Sequence, residues 1–320
     1  MPGCKDTCGN NVTIPYPFGI GAKCSINEWY TVHCNSSKPY LSALNHLEVL
    51  GIDLGNQIVT VNMQKFSDCS QVINSVDLGS SSPFLYSKSH NKFVYEGSCG
   101  NAFMMDNHGS VLTGCSTTCN NDTNTTVIID TNKCNGINCC QTTIPSYLKS
   151  YRMIFKGLES KLGGDNGGCG SAFLVNQDLY DEYSISRQSS AGEGSSYVLT
   201  SLLWTLPDRD KDQLTCCGGY TPSRRNINLG NGTSVDTWKC QYVNEFAGNP
   251  YLVDRCAARD DLYESTEESA RCKNRGGHCS NERIYDIDDS SYKDNLICFG
   301  ANESKTPLGV ILGKVSSLCL

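Results

Sequence analysis

Alternating hydrophobic and polar positions predict β-strands through most of the first 215 residues. The clearest case is the segment 49–63, whose two arms are separated by Gly55-Asn56. Its apolar residues Val59, Val61 and Met63 alternate with polar ones, so we expect a β-hairpin that turns these three side chains toward a core. Further strands are predicted at 92–95, 127–129, 151–155, 171–175 and 197–206.

Composition shifts along the chain indicate its organisation. A wholly polar run at 120–126 predicts a boundary between two β-rich domains, residues 1–119 and 120–215. From Cys216 onward the apolar runs shorten and cysteines return, so residues 216–300 are expected to be held by bridges rather than by a core. One short helix is possible at 260–271, and residues 301–320 form a stem or tail. The predicted fold class is mainly β and disulfide-rich.

Cysteine usage and charge narrow the class of protein. The chain has 320 residues and 20 cysteines with only 18% charged residues, which is typical of an oxidising compartment and hence of an extracellular protein. The net charge of −7 argues against a nucleic-acid partner, because neutralising phosphates requires a clustered excess of Lys and Arg.

Cysteine spacing favours disulfides over metal binding. The closest pairs are separated by three residues or are adjacent, as in Cys139-Cys140, and none has the C-x2-C spacing of a zinc clip. No metal site and no cofactor are therefore expected, while Cys319 lies in the tail and is left unassigned. The disulfide candidates are Cys4, Cys8, Cys24, Cys34, Cys69, Cys99, Cys115, Cys119, Cys134, Cys139, Cys140, Cys169, Cys216, Cys217, Cys240, Cys256, Cys272, Cys279 and Cys298.

Targeting and modification signals are weak. The chain opens without the pattern of a signal peptide, and the apolar segment 308–313 is stopped by Lys314, so no membrane span is predicted. Chance alone accounts for the number of N-x-S/T sequons, although their loop-like contexts suit a secreted glycoprotein. The glycosylation candidates are Asn11, Asn35, Asn121, Asn124, Asn231 and Asn302.

Signatures of catalysis are absent from the sequence. It contains no G-x-S-x-G elbow, no H-E-x-x-H motif and no phosphate-binding glycine loop. A polysaccharide hydrolase needs only two carboxylates at a set separation, so Glu28, Glu48 and Asp53 remain formal candidates. Solvated surface acids are the favoured interpretation, and the chain is not predicted to be an enzyme.

Four segments resemble one family. Cys8 to Gly21, with its I-P-Y-P-F core, resembles the opening of the galacturonan-binding extracellular domain of plant wall-associated receptor kinases. Segments 134–140, 169–175 and 248–251 match further family patterns in the same order. The two prolines make residues 14–18 a stiff extended segment, and we expect it to serve as framework.

The resemblance implies a galacturonan-binding domain at 1–119, a second wall-associated-kinase domain at 120–215 and a degenerate EGF-like region at 216–300. That region is called degenerate because Trp238 stands where the family shows a cysteine and because no D-x-D-E-C calcium signature follows Cys256. The resemblance further implies a membrane-anchored parent with a kinase domain, and no kinase domain is expected within the sequence given. Pectin or oligogalacturonides are the implied partners, in the cell wall or at the plasma membrane. A receptor module for a protein or peptide ligand is the alternative.

Candidate binding residues follow from the chemistry of an acidic polysaccharide. The first 115 residues contain six lysines and no arginine against eight acids, so lysines are the expected constant contacts. Histidines gain charge below about pH 6.5 and would strengthen binding in an acidic wall, while aromatic rings can stack on sugars. The polysaccharide-binding candidates are Lys23, Lys38, Lys65, Lys88, Lys92, His33, His46, His90, His108, Trp29 and Tyr40.

Overall fold

A computed structural model describes most of the chain as two compact units. Unit 1 consists of residues 1–215 and 221–241, and unit 2 of residues 216–220 and 242–320. The described residues are 3–9, 12–67, 72–96, 99–118, 134, 136–137, 139–157, 170–178, 180, 196–217, 221–230, 232–241, 246–253, 256–258, 278–286 and 291–299.

Unit 1 is built from short strands. They are β1 (Thr7–Cys8), β2 (Val12–Thr13), β3 (Gly19–Ile20), β4 (Thr31–Asn35), β5 (Lys38–Leu41), β6 (Leu47–Asp53), β7 (Ile58–Gln64), β8 (Ile73–Asn74), β9 (Phe84–Tyr86), β10 (Asn91–Glu96), β11 (Gly100–Met105), β12 (Val111–Thr117), β13 (Cys139–Thr143), β14 (Arg152–Gly157), β15 (Ser171–Asn176), β16 (Tyr197–Trp204), β17 (Ser223–Gly230) and β18 (Thr233–Lys239). A 3₁₀ turn covers Glu28–Tyr30, and a one-turn α-helix covers Asp208–Lys211.

These strands form a mainly antiparallel set of sheets. The largest has seven strands in the order β3-β4-β5-β6-β7-β16-β9, in which only β3 and β4 run parallel. A four-stranded sheet has the order β12-β11-β14-β8, and a three-stranded sheet the order β13-β10-β15. The pairs β1-β2 and β17-β18 complete unit 1. The mainly β, disulfide-rich class is therefore confirmed.

The predicted hairpin is present. Strands β6 and β7 pair antiparallel around the Gly55-Asn56 turn, and Val59, Val61 and Met63 are buried, as their alternation predicted. The other strand predictions are matched by β10, β14, β15 and β16. The strand at 127–129 and the helix at 260–271 fall outside the described residues.

Strand β16 brings distant parts of the sequence together. It lies between β7 and β9, with Leu202 opposite both Val59 and Tyr86. Strand β10 likewise pairs with β13 and β15, and β11 with β14. The segments 1–119 and 120–215, which the polar run at 120–126 suggested as separate domains, thus share sheets within unit 1. Local composition does not report such long-range pairing.

The β17-β18 hairpin also belongs to unit 1. The sequence instead predicted that this segment lies in a separate region that begins at residue 216. The side chain of Gln57 donates to the carbonyl of Trp238 at 3.2 Å, and the amide of Trp238 donates to the carbonyl of Leu206 at 2.8 Å. Ile227 and Leu229 pack against the buried cluster of Ile58, Leu85 and Leu203. These contacts hold the hairpin to the large sheet.

The described part of unit 2 contains two hairpins. They are formed by β19 (Phe246–Gly248) with β20 (Cys256–Ala258) and by β21 (His278–Asp286) with β22 (Ser291–Phe299). The amide of Cys217 donates to the carbonyl of Pro250 at 2.9 Å, and Tyr251 beside it is fully buried. The Gly248-Asn249-Pro250-Tyr251 motif thus has a packing role in this unit.

An aromatic cluster forms the centre of unit 1. The ring of Phe18 meets Tyr30 edge-to-face at 5.2 Å between centroids and Trp204 at 5.5 Å. Phe84 packs on Tyr30 at 5.8 Å, and the hydroxyl of Tyr30 donates to the carbonyl of Thr205. Edge-to-face contacts add to the large hydrophobic area that such rings bury. The cluster joins the N-terminal segment to the end of β16.

The segment 14–18 is framework, as expected. Ile14, Tyr16 and Phe18 are buried, and disulfides Cys4–Cys24 and Cys8–Cys34 enclose the segment. The next residue, Gly19, has no room for a side chain, because a Cβ there would lie 2.0 Å from the carbonyl oxygen of Cys24. Burial and the charge of Asp210 both raise the pKa of Tyr16.

Further bridges support the cysteine prediction. Disulfides join Cys115 to Cys140 and Cys134 to Cys139 in the region of β12 and β13. Cys99, Cys216, Cys217 and Cys240 are also disulfide-bonded. The candidates Cys69, Cys119, Cys169 and Cys272, like Cys319, lie outside the described residues, and the side chains of Cys256, Cys279 and Cys298 are not described.

One carboxyl is buried beside the aromatic cluster. Asp210 lies in the one-turn helix and is nearly inaccessible to water, with one oxygen that has no hydrogen-bond partner among the described residues. Burial raises the pKa of Asp210, although a hydrogen bond from Asn27 and the charge of Arg209 oppose this. The ionised form is thus held at a cost to the folded state.

Over the part of the chain given above, no helix has the length and apolar character needed to span a bilayer.

Replacing Phe18 by Ala should lower the free energy of unfolding by about 3 to 5 kcal/mol, because it leaves a cavity among Tyr30, Phe84 and Trp204. The matched control is Phe103→Ala, since Phe103 is 40% exposed whereas Phe18 is 1% exposed. Chemical denaturation measures both. Equal losses for the two variants would contradict the assignment of Phe18 to the central cluster.

Replacing Asp210 by Asn should stabilise the protein at neutral pH. A carboxyl whose pKa is raised by folding contributes stability below its unfolded pKa and loses that contribution as pH rises through the folded value. The melting temperature of Asp210→Asn should therefore exceed that of wild type at pH 7, and the two should converge near about pH 4 and below. A gap that does not depend on pH would contradict this account.

Candidate functional site

The large sheet presents one polar face to solvent. Along β4 to β7 the residues Val32, Leu41, Val49 and Val61 are fully buried on the inner face. Side chains alternate along a strand, so their neighbours point outward. Strand register sets His33 opposite Tyr40 and Tyr40 opposite Glu48, and Asn62 of β7 reaches Glu48. We call the residues His33, Lys38, Tyr40, Glu48 and Asn62 the outer strip.

Glu48 is the electrostatic centre of the outer strip. Its Oε1 lies 2.9 Å from Nζ of Lys38, and its Oε2 accepts a hydrogen bond of 3.2 Å from the side-chain amide of Asn62. Burial alone would raise the pKa of Glu48, but these hydrogen bonds and the Lys38 charge hold it below its usual value. The carboxyl is therefore ionised at neutral pH, with a donor on each oxygen.

Lys38 remains open to solvent despite this pair. Its side chain is 57% exposed, against 16% for Glu48. The hydrogen bond to Glu48 and the charge of that carboxylate raise the pKa of Lys38, so the ammonium stays protonated. Tyr40 follows two residues later on the same face and is partly exposed. A cationic side chain and a partly exposed aromatic side chain thus share one face of β5.

Lys65 is buried within unit 1. Its Nζ lies 3.1 Å from Oε1 of Glu96 and 4.7 Å from the centroid of the Phe173 ring. The side chains of Lys65 and Glu96 are 5% and 13% exposed. This burial by Glu96 and Phe173 argues against the predicted contact of Lys65 with a polysaccharide, which stays a prediction. Lys65 links β7 to β10 and β15.

The remaining cationic candidates are scattered over unit 1. Lys88 is exposed in the β9-β10 turn, with Nζ 5.5 Å from the centroid of the Tyr147 ring, and Lys92 is half-buried on β10. Lys23 is exposed in the loop between β3 and the 3₁₀ turn. The structure therefore brings only Lys38, of the five lysines, to the outer strip.

The four histidines do not form one cluster. His33 is exposed in the outer strip, and His46 is exposed in the β5-β6 turn. His90 shares a hydrogen bond of 3.0 Å with Ser87 before β10, and His108 lies in the β11-β12 turn. Trp29 is half-buried in the 3₁₀ turn that precedes β4. Of the aromatic candidates, Tyr40 alone is placed on the strip.

The other two candidate acids, Glu28 and Asp53, lie outside the outer strip, and one glycosylation candidate is described. Glu28 begins the 3₁₀ turn, and Asp53 accepts hydrogen bonds from the backbone and side chain of Asn56 in the β6-β7 turn. Asn35 is exposed at the end of β4. Asn11, Asn121, Asn124, Asn231 and Asn302 lie outside the described residues.

Two members of the outer strip were not predicted as binding residues. Glu48 was considered only as a catalytic acid, and Asn62 only as a polar position of the hairpin. Their shared signal is alternation, since each neighbours a core valine in its own strand. Pairing of β5 with β6 brings Lys38 within reach, and that register is not written in local sequence.

Two protein-family models match the chain. The model described as wall-associated receptor kinase galacturonan-binding matches residues 4–63, which contain the whole outer strip. The model described as wall-associated kinase matches residues 130–213. The two matches support a likeness of this chain to the extracellular region of wall-associated receptor kinases.

Individual relatives agree with this assignment. Wall-associated receptor kinase-like 5 of Arabidopsis thaliana is 32% identical over 81% of this chain and 38% of its own length. Wall-associated receptor kinase 5 of the same plant is 26% identical over 99% of this chain and 40% of its own length. The chain thus spans less than half the length of these relatives. No solved structure matches the chain.

Replacing Lys65 by Gln should lower the free energy of unfolding by about 3 kcal/mol or more, because Glu96 would be left buried without its cation. The matched control is Lys23→Gln at an exposed loop position, and denaturant titration measures both. The folded fraction of Lys65→Gln should keep the wild-type affinity for polygalacturonate. A stable variant with reduced affinity would return Lys65 to the binding surface.

Proposed function

We propose that this chain is a pectin-binding ectodomain that holds galacturonan on the outer strip of β4 to β7. The observation that carries the proposal is the juxtaposition of Lys38, Tyr40 and His33 on one solvent face within residues 4–63. The match of that segment to a galacturonan-binding family model supports the ligand class. Binding takes place outside the cell, in the wall or at the plasma membrane.

The physical mechanism is contact with a repeating acid. Four adjacent strands span about 14 Å at their usual spacing, so more than one sugar ring can lie across the strip. Lys38 supplies a charge for a uronate carboxylate, and Tyr40 supplies apolar area for a ring. Because these groups are exposed, their electrostatic contribution weakens with salt.

The pH dependence of binding rests on one histidine in this proposal. His33 is the histidine that shares the face with Lys38 and Tyr40, whereas His46, His90 and His108 lie in turns or loops elsewhere. A gain in affinity on mild acidification is therefore assigned to His33 rather than to all four. Histidine is the side-chain type whose charge changes between about pH 5 and 8.

Lys38→Met should weaken binding of polygalacturonate about three- to tenfold, because one exposed charged contact is lost. Lys88→Met is the matched control, as it removes an exposed lysine from a turn next to a different part of the fold. Calorimetry at two salt concentrations measures the affinities, with fully methyl-esterified galacturonan as the uncharged comparison ligand. Equal affinity for the two polymers, or equal loss in the two variants, would contradict the proposal. A shortened polymer would indicate a hydrolase instead.

A further inference from the structure

In the outer strip, both oxygens of the Glu48 carboxylate already accept a hydrogen bond from the protein. Lys38 and Asn62 donate to the two different oxygens of Glu48, at 2.9 and 3.2 Å. A uronate group of the ligand carries the same two oxygens and the same charge as the glutamate side chain. The donors that a galacturonan carboxylate would need are thus already engaged by the protein's own acid.

We propose that Glu48 is an internal competitor that limits the affinity of the strip for acidic polysaccharide. This inference rests on the proposed galacturonan binding and names the residue that tunes it. A ligand carboxylate must share Lys38 with Glu48 or displace Glu48 from it. Either way the ligand meets the repulsion of a second carboxylate beside its own.

The charge balance of the strip supports this role. Lys38 and Glu48 cancel, so the strip carries no net charge from this pair. Lys38 is the more exposed member of the pair, since its side chain is 57% exposed against 16% for Glu48. A polymer with many carboxylates can therefore reach Lys38 from solvent, while a single carboxylate gains little over the intramolecular partner. The strip favours long, highly charged chains over isolated acids.

The hydrogen bond from Asn62 makes the competition local. It fixes the second oxygen of Glu48 and so holds the carboxylate next to Lys38 rather than in solvent. An acid that reduced ligand affinity only by making the protein more negative would do so from any surface position. An acid that competes with the ligand reduces affinity mainly because it occupies Lys38. A double-mutant cycle of Glu48 and Lys38 distinguishes these two cases.

The decisive variant is Glu48→Gln in the full chain. It removes the charge and keeps an amide that can still contact Lys38 and Asn62. Affinity for polygalacturonate should rise about three- to tenfold and depend more steeply on salt, since Lys38 is released and the repulsion is removed. Asp236→Asn is the matched control, because Asp236 is paired with the exposed Arg224 at 2.5 Å on the β17-β18 hairpin. This control changes net charge equally and should leave affinity nearly unchanged.

The double-mutant cycle is completed by measuring Lys38→Met and the variant that combines Lys38→Met with Glu48→Gln. In the Lys38→Met background, Glu48→Gln should raise affinity by a clearly smaller factor than in wild type, because only the repulsion is removed there. An unchanged affinity for Glu48→Gln, a gain equal to that of Asp236→Asn, or a full gain without Lys38 would each overturn the competition while leaving galacturonan binding intact. Failure of wild type and every variant to bind polygalacturonate would overturn the proposed function itself. Matching melting temperatures of the variants exclude a folding effect.

Discussion

The antiparallel pairing of β16 with β7 is the interaction on which the rest of unit 1 depends. It joins residues 197–204 to residues 58–64, and the end of β16 places Trp204 against Phe18 and Tyr30. Closing so long a loop adds only a logarithmic entropy cost, which a buried strand and an aromatic cluster can offset. Without β16, the β6-β7 hairpin would have one unpaired edge and no aromatic core behind β4.

This pairing also determines what the outer strip can do. A sheet with one face packed on a core holds its outward side chains in a fixed register. His33, Tyr40, Glu48 and Asn62 follow one another across four strands for that reason. A polar sheet face with a partly exposed tyrosine suits an extended polymer better than a small molecule, which binds in a cavity.

The sequence alone predicted the local features of the fold and few of the distant ones. Alternation and a Gly-Asn turn were enough for the β6-β7 hairpin, and two prolines with aromatics were enough for the framework role of residues 14–18. The sharing of sheets between residues 1–119 and 120–215 depends on pairings such as β10 with β15, for which no local signal exists. The attachment of the β17-β18 hairpin to unit 1 also depends on long-range hydrogen bonds, those of Trp238 with Gln57 and Leu206. No local sequence signal predicts them.

In the candidate site, too, sequence predicted residue types but not the contacts that long-range pairing creates. Lysine type and position singled out Lys38 and Lys65 alike, yet Glu96 and Phe173 bury one of them while the other is exposed. The sequence named four histidines as candidate contacts, and the structure places only His33 on the outer strip. Glu48 and Asn62 became relevant only through strand register, because their chemistry depends on the pairing of β5 with β6, which places Lys38 2.9 Å from Glu48.

The most direct test of the account is a nuclear magnetic resonance titration of the full chain with an oligogalacturonide, following side-chain signals of His33, Lys38, Tyr40 and Asn62. The account predicts that these signals shift together and saturate at one ligand concentration, while those of His108 and Phe103 on the four-stranded sheet stay unchanged. Saturable shifts confined to His108, Phe103 or other residues outside β4 to β7 would contradict it.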